Sequence, residues 1–544
     1  MAPLAVHIKH AGKIHDLTLD IDRPPSVFKD DIYHLTGVPV DRMKVMVKGG
    51  LLKDDTDWKK VGPKEGQTFM VIGAAGELPK PPEKPIVFLE DMDDTELAQA
   101  LAYPVGLVNL GNTCYMNSTV QALRAIPELQ VALQSSSSPG LPSSLKNLYT
   151  QMSKTTDEVT PTTFLSSLRQ AFPQFAEQSR SGGSGLKALM GAAYAQQDAE
   201  ECWIQLVNSL KEVPGLPGPS GSSSGKKFVE QYMTGEMRRV MSCDENPSEE
   251  ASISTERVLK LECNISIHTN YMLSGILDAL DTKIEKRSPS LGREAVYSSK
   301  SRLSRLPSYL TVHMVRFAWR SDIQKKAKIM RKVKFPTSFD AIDLVTDELK
   351  EKIRPLSRKF LEIEKARDER IKIRKRTKIA ASSSADEKGK GKQEADVEMA
   401  DESASGSGSS KTEGQKVEGA ELEDEKVYRE KELKALEDLI HPDLKDDVGC
   451  SVSGLYELVA ITTHKGAAAD AGHYMAFVKR SVFHPSQPSS SSSPQGALQA
   501  DDQDWYKFDD NKVSIFPFEK LATLDGGGED SSAYVLLYRA KDLA

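Results

Sequence analysis

The stretch Gly106-Leu107-Val108-Asn109-Leu110-Gly111-Asn112-Thr113-Cys114-Tyr115-Met116-Asn117 reads as a loop that turns into a helix at a cysteine. Beyond Gly111 the apolar residues Met116, Val120, Leu123 and Ile126 fall at helical spacing, and Pro127 ends the run. Asn112 or Thr113 is a fitting N-cap. Cys114 is then expected in the first turn, where the helix dipole and unsatisfied N–H groups favour a thiolate. The same N–H groups can face an oxyanion, and Asn109 offers a side-chain amide beside them. A lone cysteine is more commonly a buried apolar thiol, so the assignment depends on finding a base and its partner.

Of the ten histidines, His473 stands out. Gly472-His473-Tyr474-Met475-Ala476-Phe477-Val478-Lys479 puts it at the mouth of an alternating strand, after the small-residue segment Gly466–Ala471. His464 ends the preceding strand, Leu455–Thr463. A metal pair is the competing reading, yet no cysteine or carboxylate cluster has ligand spacing around the two histidines. A carboxylate follows in Trp505-Tyr506-Lys507-Phe508-Asp509-Asp510-Asn511-Lys512-Val513, which reads as strand, tight turn, strand, with Asp509 at the strand end. A turn aspartate is the bland alternative. Asp198-Ala199-Glu200-Glu201 forms a capping box, and residues 199, 202, 203, 206, 207 and 210 make one apolar helix face.

Around these blocks the 544-residue chain is 39% hydrophobic and 28% charged, with a formal net charge of -7. That mildly acidic balance is poor for phosphate-driven nucleic-acid binding. The cysteines, at 114, 202, 243, 263 and 450, are scattered and odd in number, which fits a reducing compartment better than a disulfide framework. The N-terminus carries charge early with no apolar h-region, and no apolar run approaches the ~18–20 residues that span a bilayer. A soluble protein of cytoplasm and nucleus is expected, acting as a monomer without cofactors.

Two folded units are expected, of α+β class. Strands at 4–8 and Ile14–Leu19, a helix at Val27–Leu35, and strands at Lys44–Val47 and Gln67–Ile72 fit a small β-grasp domain over residues 1–76. Another small α+β domain would satisfy the periodicity alone. Residues 77–100 form a linker, with a proline-rich, charged run at Glu77–Pro85. The larger unit covers 101–540, with loops at Pro214–Gly225 and His484–Ala500. Within it, 346–447 is expected to be a mostly disordered insertion. Lys350–Lys378 is basic enough for a polar helix, and 391–426 holds eleven acidic and four basic residues among many Ser and Gly.

The Cys114, His473 and Asp509 blocks resemble the catalytic boxes of ubiquitin-specific proteases, in that family's order. Gln197-Asp198-Ala199-Glu200-Glu201-Cys202-Trp203 is similar to its second motif. Leu306–Phe317, Lys334-Phe335-Pro336 and Ser532–Tyr538 are similar to its core and closing strands. The resemblance covers nearly all of 101–540 outside the insertions. It implies a papain-like fold of fingers, palm and thumb, and a thiol-dependent deubiquitinase that cuts at the C-terminal glycine of ubiquitin. Cys114 would be nucleophile, His473 base, Asp509 its orienting group and Asn109 an oxyanion donor. Gln197, Asp198, Gly472 and Tyr474 would contact the substrate. Many members bind zinc in the fingers through two Cys-x-x-Cys pairs. Here only Cys243 and Cys263 fall there, too few for a four-coordinate site, so no metal is expected.

Lys44–Gly50 and Thr68–Ile72 resemble ubiquitin itself. A ubiquitin-like domain ahead of this catalytic domain is similar to the proteasome-associated branch, whose N-terminal domain docks on the 19S regulatory particle. Met46, Met70 and Ile72 are the expected docking patch. By the same resemblance, Gly466–Ala471 and Lys325–Lys334 are loops over the cleft. A catalytically weak or inactive scaffold that binds ubiquitin or the proteasome is the alternative, and an ordinary papain-like peptidase a second.

Overall fold

The structure is a computed structural model and describes residues 3–48, 50–54, 56–73, 92–178, 194–218, 225–320, 325–386, 424–468, 471–484, 503–528 and 530–543. It divides into two compact units, Met1–Met92 and Asp93–Ala544. In the first, β1 (Leu4–His10) and β2 (Lys13–Leu19) form a hairpin. The turn between them uses Ala11 and Gly12, both at positive φ. The helix Pro25–Thr36 follows, opened by proline and stopped by the left-handed Gly37. Strands β3 (Lys44–Val47), β4 (Gly50–Leu51) and β5 (Thr68–Ile72) complete a five-stranded sheet of order β2-β1-β5-β3-β4. The parallel pairing of β1 with β5 in its centre makes this the expected β-grasp arrangement. Alternation along β5 sends Phe69 and Val71 into a core with Val6, Ile8, Phe28, Ile32 and Val45. Thr68, Met70 and Ile72 face out. A short helix at Trp58–Val61, absent from the sequence reading, adds Trp58 to that core.

The second unit joins a helical wall to a sheet. The helices are Cys114–Leu123, Pro127–Ser135, Leu141–Met152, Thr162–Ala171 and Ala199–Ser209. The ten-stranded sheet runs Lys512–Phe516, Trp505–Asp509, Ala471–Lys479, Leu455–Ala468, Ser532–Ala540, Tyr309–Val315 and Leu261–Asn264, with three short strands off this path. A four-stranded sheet is built from Ser252–Val258, Gly235–Cys243, Glu294–Arg305 and Asp281–Arg287. One apolar core lies between the helices and the large sheet, centred on Leu107, Met116, Trp203, Leu206, Val459 and Val478. Cys114–Leu123 is buried along its whole length. It therefore acts as the spine that the other elements fix in place.

The insertion departs from expectation at its two ends. A helix spans Asp347–Asp386, longer than the expected polar one, and a second spans Glu425–Glu437. Leu349, Ile353, Leu356, Phe360 and Ile363 are all buried. Their 4-3-4-3 spacing is an apolar stripe hidden among lysines and arginines. Leu356, Phe360 and Ile363 pack on Leu436 and Leu455. Arg367 and Arg370 pair with Glu432, and Arg370 and Arg374 with Glu425. The middle of the insertion, most of the linker, and much of the loops at 214–225 and 484–500 lie outside the described residues.

Candidate active site

The loop before Cys114 is shaped by two carboxamides. Asn109 Oδ1 accepts from Gly111 N at 2.9 Å and from Thr113 N at 3.2 Å, with Gly111 and Asn112 at positive φ. Thr113 is the N-cap residue, but its hydroxyl takes Leu110 N and gives to Asn109, and no side chain caps the helix. Met116 N donates to Thr113 O at 3.1 Å, and the Cys114 and Tyr115 N–H groups are not taken by a side-chain cap. Asn117, one turn on and 2% exposed, gives its amide to Asp510 Oδ1 at 2.8 Å. Gly106 lies so close to the turn at Asp510 and Asn511 that a Cβ there would strike the Asn511 backbone. Leu107 N also donates to Asp510 O at 3.0 Å. Glycine is required here because two distant segments meet main chain to main chain.

His473 reaches this loop from the strand Ala471–Lys479. Its Nε2 lies 2.7 Å from Asp509 Oδ1, and its ring also hydrogen-bonds Cys114. With Nε2 committed to the carboxylate, Nδ1 is the nitrogen left for sulfur. The Cys114 hydrogen bond, then Asp509, raise the imidazole to about 9 against the opposing effect of burial. Burial pushes Asp509 up, but His473 and Lys507, 3.2 Å away, outweigh it and hold the carboxyl below its usual range. Asp510, 4.0 Å from the imidazole, takes the Asn109 and Asn117 amides instead. Two adjacent carboxylates thus have separate tasks, one toward the imidazole and one toward the loop.

Burial raises Cys202, Cys263 and Cys450, the last two to about 12. Cys243 and Cys263 lie in separate apolar clusters. Near Cys243, Glu249 accepts from Ser288, Ser290 and Tyr297, and this polar knot holds the end of the four-stranded sheet.

The expected substrate residues are distributed unevenly. Asp198 caps its helix by accepting Glu200 N at 2.7 Å, and its other oxygen accepts the Tyr534 hydroxyl at 2.7 Å. Gly472 lies on the cleft beside His473. Tyr474 is 1% exposed and packs beneath the cleft against His464 and Tyr534. His464, also fully buried, is pushed down to about 4 by burial, then by Lys328 and His473, so it stays neutral. In the Gln-Gln pair it is Gln196 that lies beside Cys114. Gln196 Nε2 donates to Gly472 O at 2.8 Å and lies 4.0 Å from Cys114 Sγ. Sequence reasoning also missed Asn117 and Asp510 as the tie between nucleophile loop and turn. Of the two expected cleft loops, Gly466–Ala471 has 469–470 outside the described residues, while Lys325–Lys334 is described throughout. What is described is a hairpin, Phe317–Arg320 with Lys325–Lys328, attached to the long strand through Ala327 and Ala468.

A thiol at an uncapped helix N-terminus, an imidazole and a carboxylate in line, and a helical wall facing a sheet define a papain-like cysteine protease. The family model for ubiquitin carboxyl-terminal hydrolase matches residues 105–538. The chain is 43% identical over 546 residues to ubiquitin carboxyl-terminal hydrolase 6 of Schizosaccharomyces pombe, covering 100% of both chains. It is 36% identical to ubiquitin carboxyl-terminal hydrolase 6 of Arabidopsis thaliana, over 98% of each chain. With ubiquitin carboxyl-terminal hydrolase 14 of Caenorhabditis elegans it shares 28% identity, over 98% of this chain and 93% of the relative. The chain belongs to the ubiquitin carboxyl-terminal hydrolase family and is a ubiquitin-specific cysteine protease.

Proposed function

We propose that the enzyme hydrolyses the isopeptide bond between the C-terminal glycine of ubiquitin and a substrate lysine, with Cys114, His473 and Asp509 as its triad. The alignment of sulfur, imidazole and carboxylate, with 2.7 Å between His473 and Asp509, carries this reading. Cys114 Sγ attacks the glycine carbonyl carbon, and a tetrahedral oxyanion forms against the Cys114 N–H and the Asn109 amide. One Asn109 N–H is given to Asp510, and the second remains for the oxyanion. On collapse the C–N bond breaks, His473 passes its proton to the departing lysine nitrogen, and a thioester stays on Cys114. Water, deprotonated by His473, cleaves the thioester and restores the thiol. Gln197, Asp198 and Gly472 are assigned to the ubiquitin tail, with the buried Tyr474 supporting them from beneath the cleft. Cofactors take no part. An electrophilic ubiquitin probe tests the assignment: it should label the wild type at Cys114 and leave Cys114→Ala unmodified. Equal labelling of the variant would sink it.

Docking on the proteasome regulatory particle, to recycle ubiquitin and trim chains, is the finer part of the proposal. It is supported by Met46, Met70 and Ile72, which are 42%, 49% and 52% exposed on neighbouring strands with Met46 directly opposite Met70. Leu51, 47% exposed, pairs with Met46 and extends the patch. Such a cluster on a β-grasp sheet fits a protein interface better than scattered surface residues. Cytoplasm and nucleus are the compartments this role requires. Among the described residues no helix is long and apolar enough to cross a membrane.

A further inference from the structure

Cys114 is only 3% exposed in the free enzyme, although a carbonyl carbon must come within ~3–3.5 Å of its sulfur. What stands beside the sulfur is the Gln196 carboxamide, 4.0 Å away. Its two polar atoms are both bonded to one residue across the cleft. Gln196 Nε2 donates to Gly472 O at 2.8 Å, and Gly472 N donates to Gln196 Oε1 at 3.3 Å. This is the doublet that a residue of an antiparallel neighbour strand would make.

The sheet explains why the position is open. On one edge the strand Ala471–Lys479 pairs with Leu455–Ala468 down to Lys465 opposite His473, and again past a register shift at Ala468 opposite Ala471. On the other edge its partner Trp505–Asp509 starts only at Ala476. Gly472 therefore presents an N–H and a C=O to the cleft with no strand beside them among the described residues. Behind it a Cβ would run into the His464 ring and Lys465 O, so only glycine fits at this approach to the neighbouring strand. An extended peptide leading to Cys114 would add to this edge by main-chain pairing.

We infer that Gln196 is a clasp which occupies the main-chain pairing position at Gly472 in the free enzyme and is exchanged for the extended tail of the substrate. The carboxamide copies one peptide group, spans from the helical wall to the sheet, and covers the sulfur. The substrate tail restores both hydrogen bonds to Gly472 as the clasp swings out. Acylation thus follows only when a main chain has replaced it. This rests on the proposed reaction for the identity of the tail, but not for the clasp itself. Because only the open fraction binds, apparent affinity for every tail is lowered by the same factor.

The test uses the full chain with Gln196→Ala, and with Gln196→Asn, whose amide is one methylene too short to span. Two rates are read: alkylation of Cys114 by iodoacetamide, and kcat and KM on a ubiquitin C-terminal reporter. Both variants should speed alkylation and raise kcat/KM by a common factor, about tenfold for one or two net hydrogen bonds lost. The gain should lie in KM, since saturating substrate has already displaced the clasp. Unchanged alkylation, or a fall in kcat, overturns the clasp and makes Gln196 part of the reaction or of no consequence. If no form turns over ubiquitin, the proposed reaction fails, while accelerated alkylation still upholds the clasp.

Discussion

The largest influence on the His473 imidazole is the sulfur it faces, not the carboxylate behind it. Cys114→Ala should therefore abolish turnover and also bring the His473 titration down from about 9 toward the ordinary ~6.5. An NMR titration of the ring checks this, and an unmoved value would mean that the sulfur contributes nothing. A histidine with a raised folded-state value adds stability that is fully present below ~6.5 and is lost as pH rises through its folded value. The melting difference between wild type and His473→Ala should accordingly be larger at pH 6 than at pH 10. Asp509→Asn should lower kcat by on the order of 10²–10³, as expected when a general base loses its orienting group. Asp510→Asn should instead cost about 1–3 kcal/mol of stability, since the one side-chain oxygen left cannot accept from both the buried Asn117 amide and the exposed Asn109 amide. Comparable loss of kcat in both variants would show that the carboxylates are not divided as described. Cys114, His473 and Asp509 were legible in the sequence because each sits in a short block whose local pattern fixes its setting. Gln196 was not, because the loop ahead of Asp198 has no periodicity to say which glutamine turns inward. The tie of Asn117 to Asp510 crosses 393 positions and exists only in the fold.

At the level of elements, the helix pair in the insertion is the strongest departure from the sequence reading. A high density of lysine and arginine masked a stripe of five apolar residues, because composition averages over a face that spacing would have isolated. The β-grasp strands were readable because their alternation is short and clean, whereas the helix at Trp58–Val61 is shorter than any periodic signal. Two deletions test the helix pair separately from the stretch that joins its helices. Replacing 388–422 by a short Gly/Ser link should leave the melting temperature and reporter activity unchanged, since loop-closure entropy varies slowly with length. Removing 425–437 as well should strip Leu436 from Phe360 and the glutamates from Arg367 and Arg370. A clear drop in melting temperature should follow. Phe360→Ala alone should cost ~3–5 kcal/mol by the usual cost of emptying a core aromatic site, read by urea denaturation. If 425–437 can be lost without effect, the helix pair is an ornament of the surface.

On the scale of the molecule, each unit buries its own core, so a change on the β-grasp surface should not reach Cys114. Met46→Asp should weaken proteasome binding by at least ~2 kcal/mol, roughly 30-fold in Kd, as for an interface hot spot. Activity of the free enzyme on a ubiquitin reporter should be unaltered. Equal proteasome binding by both proteins would remove the patch from docking. The bond from Asn109 to Asp510 has one further consequence, since it joins residues 401 positions apart. A ribosome moving at ~5–20 residues per second needs roughly 20–80 s to travel from one to the other. For most of that interval, until residue 473 is added, the emerging chain has its cysteine but neither His473 nor Asp509. The hydrolase is thus silent for most of its synthesis, and a message truncated between codons 114 and 473 yields a protein with the nucleophile and no base to activate it.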